Sequence, residues 1–121
     1  MGQHCFTIAD DDADALFLLH RMVEKLYPGS SISAFSNAED ALAHIRDMGT
    51  DILITNHGMG AMSGTDLVRI LRAQKVEIPI VMVSGNPEVR KEAEEAGATA
   101  FIEKSLDMSS IRSCIQELLP A

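Results

Sequence analysis

The side chains able to do chemistry in this 121-residue chain fall into four groups: Asp10-Asp11-Asp12, Asn56 with Gly58 two residues on, Ser84, and Lys104. Adjacent carboxylates suit a hard cation such as Mg²⁺, which takes oxygen ligands in octahedral geometry and keeps several waters. A hydroxyl and an ammonium facing them suit a phosphoryl oxygen. Asn56 brings an amide oxygen and N–H donors but no carboxylate, so it is no nucleophile under these conditions. What the four groups do together depends on whether the fold gathers them.

Each group lies at the end of a short β-prone run: Cys5–Ala9, Asp51–Thr55, Ile78–Val83 and Thr99–Glu103, with a further run at Ser31–Phe35. Ile52-Leu53-Ile54 and Ile80-Val81-Met82-Val83 are continuously apolar, as strands buried on both faces must be. Helical patterns fill the gaps. Leu16, Leu19, Val23 and Leu26 repeat before the stop at Tyr27-Pro28-Gly29. Ala38, Leu42 and Ile45 follow a cap at Ser36 or Asn37, and Leu67, Ile70 and Leu71 follow a start at Ser63 or Thr65. A fourth helix opens at Pro87 and closes at Gly97; a fifth spans Leu106 to Leu119 with Ile111, Ile115 and Leu118 on one face. Five alternations predict an α/β chain, a (βα)5 flavodoxin-like three-layer sandwich with a parallel five-stranded sheet in the order 2-1-3-4-5. Ligands of such sheets bind at the carboxyl rim, where strands 1 and 3 diverge. All four groups are expected there.

The length suits one domain over residues 1–121. Eighteen Asp and Glu against ten Lys and Arg give a formal net charge of −8, which speaks against direct nucleic-acid binding. Cys5 and Cys114 have no CxxC spacing and read as reduced, buried thiols of a cytoplasmic protein. No apolar run approaches the roughly 18 residues of a membrane span, and no signal peptide opens the chain.

Over nearly its whole length the sequence resembles the receiver domains of two-component response regulators. Asp10 and Asp11 match that family's acidic pair, and the resemblance makes Asp11 the direct metal ligand, with the Gly58 carbonyl as a backbone ligand. Asn56 stands where the family has its phosphoacceptor Asp. Ser84 matches the Ser or Thr that reads the phosphoryl group, Phe101 the aromatic rotamer switch, and Lys104 the phosphate-pairing Lys. The pattern Met-Pro-x-Met-x-Gly appears as Met59-Gly60-Ala61-Met62-Ser63-Gly64, and Ser105 stands where Pro usually follows the Lys.

The resemblance therefore implies a degenerate receiver, a pseudo-receiver and not an enzyme, working as a protein–protein interaction module without phosphorylation at Asn56. Its partner would be a sensor histidine kinase or an output domain, bound through the face made by the fourth helix, fifth strand and fifth helix, with a homodimer as one form of such pairing. The alternative is a conventional phosphorelay receiver whose acceptor Asp was engineered to Asn56, or which uses another acceptor such as Asp11 or Ser63. Loss of the third carboxylate implies weak Mg²⁺ binding at Asp10, Asp11, Gly58 and the Asn56 amide oxygen, which can still coordinate, with no cofactor required, because a unit charge near a cation is worth on the order of a few kcal/mol at such a rim. With no charge at Asn56, Lys104 is free to pair with Asp10 or Asp11, or to donate to the Asn56 oxygen. Plainer readings stand beside these. Three Asp before a helix also serve as N-cap and dipole partners, Ser84-Gly85-Asn86-Pro87 also makes a turn and helix start, and His57 reads as a solvated rim histidine. Met59 and Met62 read as core and loop filler.

Overall fold

The computed structural model of the chain describes residues 4–104 and 108–120. Its strands are β1 (Cys5–Ala9), β2 (Ser31–Phe35), β3 (Ile52–Thr55), β4 (Ile80–Ser84) and β5 (Ala100–Glu103), all parallel and ordered β2-β1-β3-β4-β5. Helices α1 (Ala13–Leu26) and α5 (Ser109–Leu118) pack on one face; α2 (Ala38–Met48), α3 (Gly64–Ala73) and α4 (Arg90–Ala96) pack on the other. The flavodoxin-like sandwich expected from the sequence is the fold found. Strand periodicity explains the two cores. Ile52 and Ile54 pack among the α1 and α5 residues while Leu53 between them packs among α2 and α3, and all three are wholly buried.

Several boundaries differ from the expected ones for local reasons. Strand β3 starts at Ile52, because the Asp51 carboxylate turns to accept the Cys5 N–H at 2.7 Å. Strand β4 starts at Ile80, since Pro79 has no N–H to donate and offers only its carbonyl, to Leu53 N at 3.1 Å. It runs on to include Ser84. Strand β5 starts at Ala100, yet Thr99 still bridges to Ile80 through its own N–H and its Oγ1. Asn37 caps α2, and Ser63 caps α3 in a capping box with Asp66. A 3₁₀ turn over Pro87–Val89 precedes α4, so that helix begins three residues later than expected. The expected start of the fifth helix at Leu106 lies outside the described residues, but Met108 is not helical, so α5 begins at Ser109, and it ends at Leu118, one residue earlier than expected.

Cys5 is exposed, contrary to expectation, because it opens β1 at the amino edge of the sheet; Cys114 is half-buried, and both thiols are free. Burial pushes the Cys114 thiol pKa up. Among the described residues, no helix is long and apolar enough to cross a membrane.

The topology fixes where a site can form. The chain leaves β1 into α1 on one face and leaves β3 into α3 on the other, so a crevice opens between two adjacent strand ends. Backbone bonds lock those ends together: Asn56 N donates to Ala9 O at 2.9 Å, Asp10 N to Phe35 O at 3.0 Å, and Lys104 N to Ser84 O at 2.8 Å.

Candidate functional site

Asp10, the first residue past β1, is 1% exposed, and a carboxylate so deep requires partners. It has them on both oxygens. Lys104 Nζ lies 2.8 Å from Oδ2, and Asp12 N–H donates to Oδ1 at 3.0 Å. Of the three arrangements open to Lys104, the fold adopts the Asp10 pair. The Lys104 stem packs along an apolar cleft of about 360 Å³ formed with Ala15, Leu18, Leu19, Val83, Met108 and Ile111, so only its ammonium reaches the rim. Asp12 is the N-cap of α1, accepting from Asp14 N at 2.9 Å. Its capping role is thus met, while Asp11 stays exposed at the rim.

Contrary to the expectation of an amide oxygen offered to a metal, Asn56 turns its amide nitrogen toward the groups that the resemblance makes metal ligands. Nδ2 donates to the Gly58 carbonyl at 3.0 Å and faces Asp11 Oδ1 at 3.5 Å. Both neighbours only accept hydrogen bonds, so the amide satisfies them only in this orientation. The donor set offers a test for Mg²⁺. Oxygens are present, but both oxygens of Asp10 are committed, and the Gly58 carbonyl already accepts from the amide. As arranged, the pocket holds no ready site for a divalent ion, which has to share Asp10 with Lys104 and displace the Asn56 amide from the Gly58 carbonyl. Among the described residues, no group of three or more His, Cys, Asp or Glu is placed to hold a metal.

Ser84 is 3% exposed, and its Oγ accepts from Asn86 N at 3.1 Å, which shapes the turn into α4. Phe101 is 6% exposed, packed in the core beside Met82, its partner in the β4–β5 register. The Arg90 guanidinium lies over that ring, 4.9 Å from its centroid. Nothing in the sequence pattern singled out Arg90, because its spacing to Phe101 exists only after α4 folds against β5.

In the loop after β3, Met59 and Met62 pack as expected, whereas His57 is not the solvated rim histidine expected. His57 is half-buried, with Nδ1 2.7 Å from Oγ1 of the buried Thr65, which α3 holds against the loop. Met59 is buried in the core at 3% exposure, and Met62 packs at its edge. Gly60 has φ +84°, a left-handed backbone that proline, fixed near −65°, cannot adopt. The loop path itself therefore excludes the Pro of the family pattern. Hydrogen bonds from the Ser63 backbone and hydroxyl hold the Asp66 carboxyl below its usual range and anchor α3 behind the loop.

The Lys104–Asp10 pair is expected to be a coupled unit. Lys104→Met should cost about 2 kcal/mol, below the usual loss for a broken buried pair because the ammonium is partly solvated. Combining it with Asp10→Asn should cost at least about 1 kcal/mol less than the two single changes summed. Urea denaturation of the four proteins measures this; strict additivity would show that the pair is not energetically linked.

Comparison with known proteins accords with this geometry. A family model described as the response regulator receiver domain matches residues 6–116. The chain is 29% identical over 109 residues to the two-component response regulator PhoP of Pseudomonas aeruginosa, covering 88% of this chain and 48% of that protein. It is 34% identical over 90 residues to the transcriptional regulatory protein FixJ of Rhizobium meliloti, covering 73% and 44%. The chain thus spans about half or less of the length of these relatives. Among solved structures, the chemotaxis response regulator CheY4 of Vibrio cholerae superimposes with a TM-score of 0.87 at 21% identity, over 98% of this chain and all of that one. A putative response regulator from Chloroflexus aurantiacus gives 0.88 at 22% identity, over 99% and 100%. At these identities the structures speak for the fold, and the family model speaks for descent: the chain belongs to the response regulator receiver domain family.

Proposed function

We propose that this chain is a pseudo-receiver, one domain over residues 1–121 that acts in the cytoplasm as an interaction module without phosphorylation at Asn56. Receiver domains in general interact with histidine kinases and output domains in two-component systems, as non-catalytic modules. The observation that carries the finer reading is the Asn56 amide. By the family resemblance it stands at the acceptor position; an amide cannot attack phosphorus, and this one donates to the Gly58 carbonyl beside Asp11. Together with the Lys104–Asp10 pair it closes the polar network internally. Mg²⁺ binding is weak on this reading, because an ion has to turn the amide away and finds one carboxylate fewer. Ser84, Phe101 and Lys104 keep their places as structural members of the switch framework. The partner, a sensor kinase or an output domain, docks on the α4–β5–α5 face, where a homodimer can also form.

Incubation of the purified protein with Mg²⁺ and a small acyl-phosphate donor tests this. The intact mass is expected to stay unchanged. A stoichiometric phosphoryl gain would overturn the reading and would direct peptide mapping to Asp11 and Ser63 as alternative acceptors.

A further inference from the structure

We propose that Arg90 is the positioning residue for Phe101, holding the ring buried and so keeping the α4–β5–α5 face in one form in the absence of a phosphoryl group. This rests on reading that face as the docking surface. Arg90 opens α4, where a cation faces the positive end of the helix dipole and is disfavoured. Two contacts offset that position. The guanidinium lies 4.9 Å over the Phe101 centroid, and its Nη1 is 3.6 Å from Glu94 Oε2, one helical turn along. The carboxylate aims the guanidinium and the ring face receives it, while Phe101 is only 6% exposed, beside its register partner Met82 in the core that also holds Ala93.

A short series of hydrogen bonds sets where Arg90 stands. Ser84 Oγ accepts from Asn86 N at 3.1 Å, Asn86 Oδ1 accepts from Glu88 N at 3.0 Å, and Val89 N donates back to Asn86 O at 3.3 Å. The 3₁₀ turn so formed delivers Arg90 over the ring. On this proposal a displacement of Ser84 or Asn86 reaches Phe101 through the turn and the guanidinium. Arg90 supplies from within the chain a bias that needs no ligand.

The test is ¹⁹F NMR of the protein labelled with fluorophenylalanine, the Phe101 resonance being assigned with Phe101→Leu. The readouts are the H₂O/D₂O isotope shift, which reports ring exposure, and the melting temperature. Arg90→Ala and the uncharged Arg90→Gln are expected to lower the buried-to-exposed ratio of Phe101 roughly two- to five-fold, with Arg90→Lys restoring most of it. Phe6, Phe17 and Phe35 are expected not to move. An unchanged Phe101 signal in Arg90→Ala, a parent-like signal in Arg90→Gln, or all four resonances shifting together would each overturn the proposal. None of these readouts uses a phosphate donor or a partner, so they fail or succeed separately from the pseudo-receiver reading.

Discussion

Gly64→Ala is expected to cost about 3 kcal/mol or more and to lower the melting temperature by roughly 10 °C or more. A Cβ at this position would lie 1.8 Å from the Asn56 carbonyl oxygen and 2.8 Å from its carbon. These are backbone atoms, so no rotamer change relieves the clash. The contact exists because α3 must start against the end of β3: Gly64 N donates to His57 O at 2.7 Å, and the capping box fixes the helix one residue earlier. Only a residue without a Cβ allows that approach. Relief would require α3 to lift from β3, opening the buried packing of Leu67, Val68 and Leu71. Gly85→Ala is the control, since nothing lies within 4 Å of its added Cβ, and it should stay within about 0.5 kcal/mol of the parent. Thermal denaturation followed by circular dichroism separates the two; equal melting would show that the β3–α3 junction yields without loss.

The architecture was readable because its signals are local. Continuous apolar runs at Ile52–Ile54 and Ile80–Val83 place the central strands, helical spacing places α1 to α3, and Asn37 and Ser63 announce their helices through ordinary capping chemistry. The convergence of Asp10, Asn56, Ser84 and Lys104 follows from topology alone, since residues past parallel strand ends share one rim. What the sequence left open concerns directions of side chains. It allowed Lys104 three partners, and the choice of Asp10 depends on the Lys104 stem packing beside Ala15 and Ile111, across elements distant in sequence. It left open which end of the Asn56 amide faces the rim, a matter decided by the acceptors at Gly58 and Asp11. Two other features had no sequence signal. His57 acquires Thr65 only when α3 folds back on the loop, and Arg90 acquires Phe101 only across the α4–β5 seam.

Asn56→Asp is expected to have opposite effects on the protein with and without metal, and the pair of signs tests the chemistry of the rim. Without a divalent ion the new carboxylate stands where the amide now donates to the Gly58 carbonyl and faces Asp11 Oδ1. Both donations vanish, and a like charge joins Asp10 and Asp11, so the variant should be less stable than the parent by about 1–2 kcal/mol. Lys104 is drawn between Asp10 and the new charge and offsets part of that loss. With Mg²⁺ the order reverses. A third carboxylate and a freed Gly58 carbonyl make an all-oxygen donor set, and binding should tighten at least tenfold, on the order of 1.4 kcal/mol or more. Added Mg²⁺ should then raise the melting temperature of the variant and leave the parent nearly unchanged, as expected for a ligand that binds only the folded state. The variant should also gain one phosphoryl group from an acyl-phosphate donor: its carboxylate oxygen bonds to phosphorus as the donor's carboxylate departs with the bond electrons. Calorimetric titration, melting curves and intact mass read these in turn. If the variant binds Mg²⁺ but stays unphosphorylated, the obstruction lies in the loop carrying Gly60, whose left-handed backbone steers the chain away from the path of the Pro-containing pattern. If it neither binds Mg²⁺ nor loses stability, the amide contacts carry no energy, and the account of a pocket closed by Asn56 is wrong.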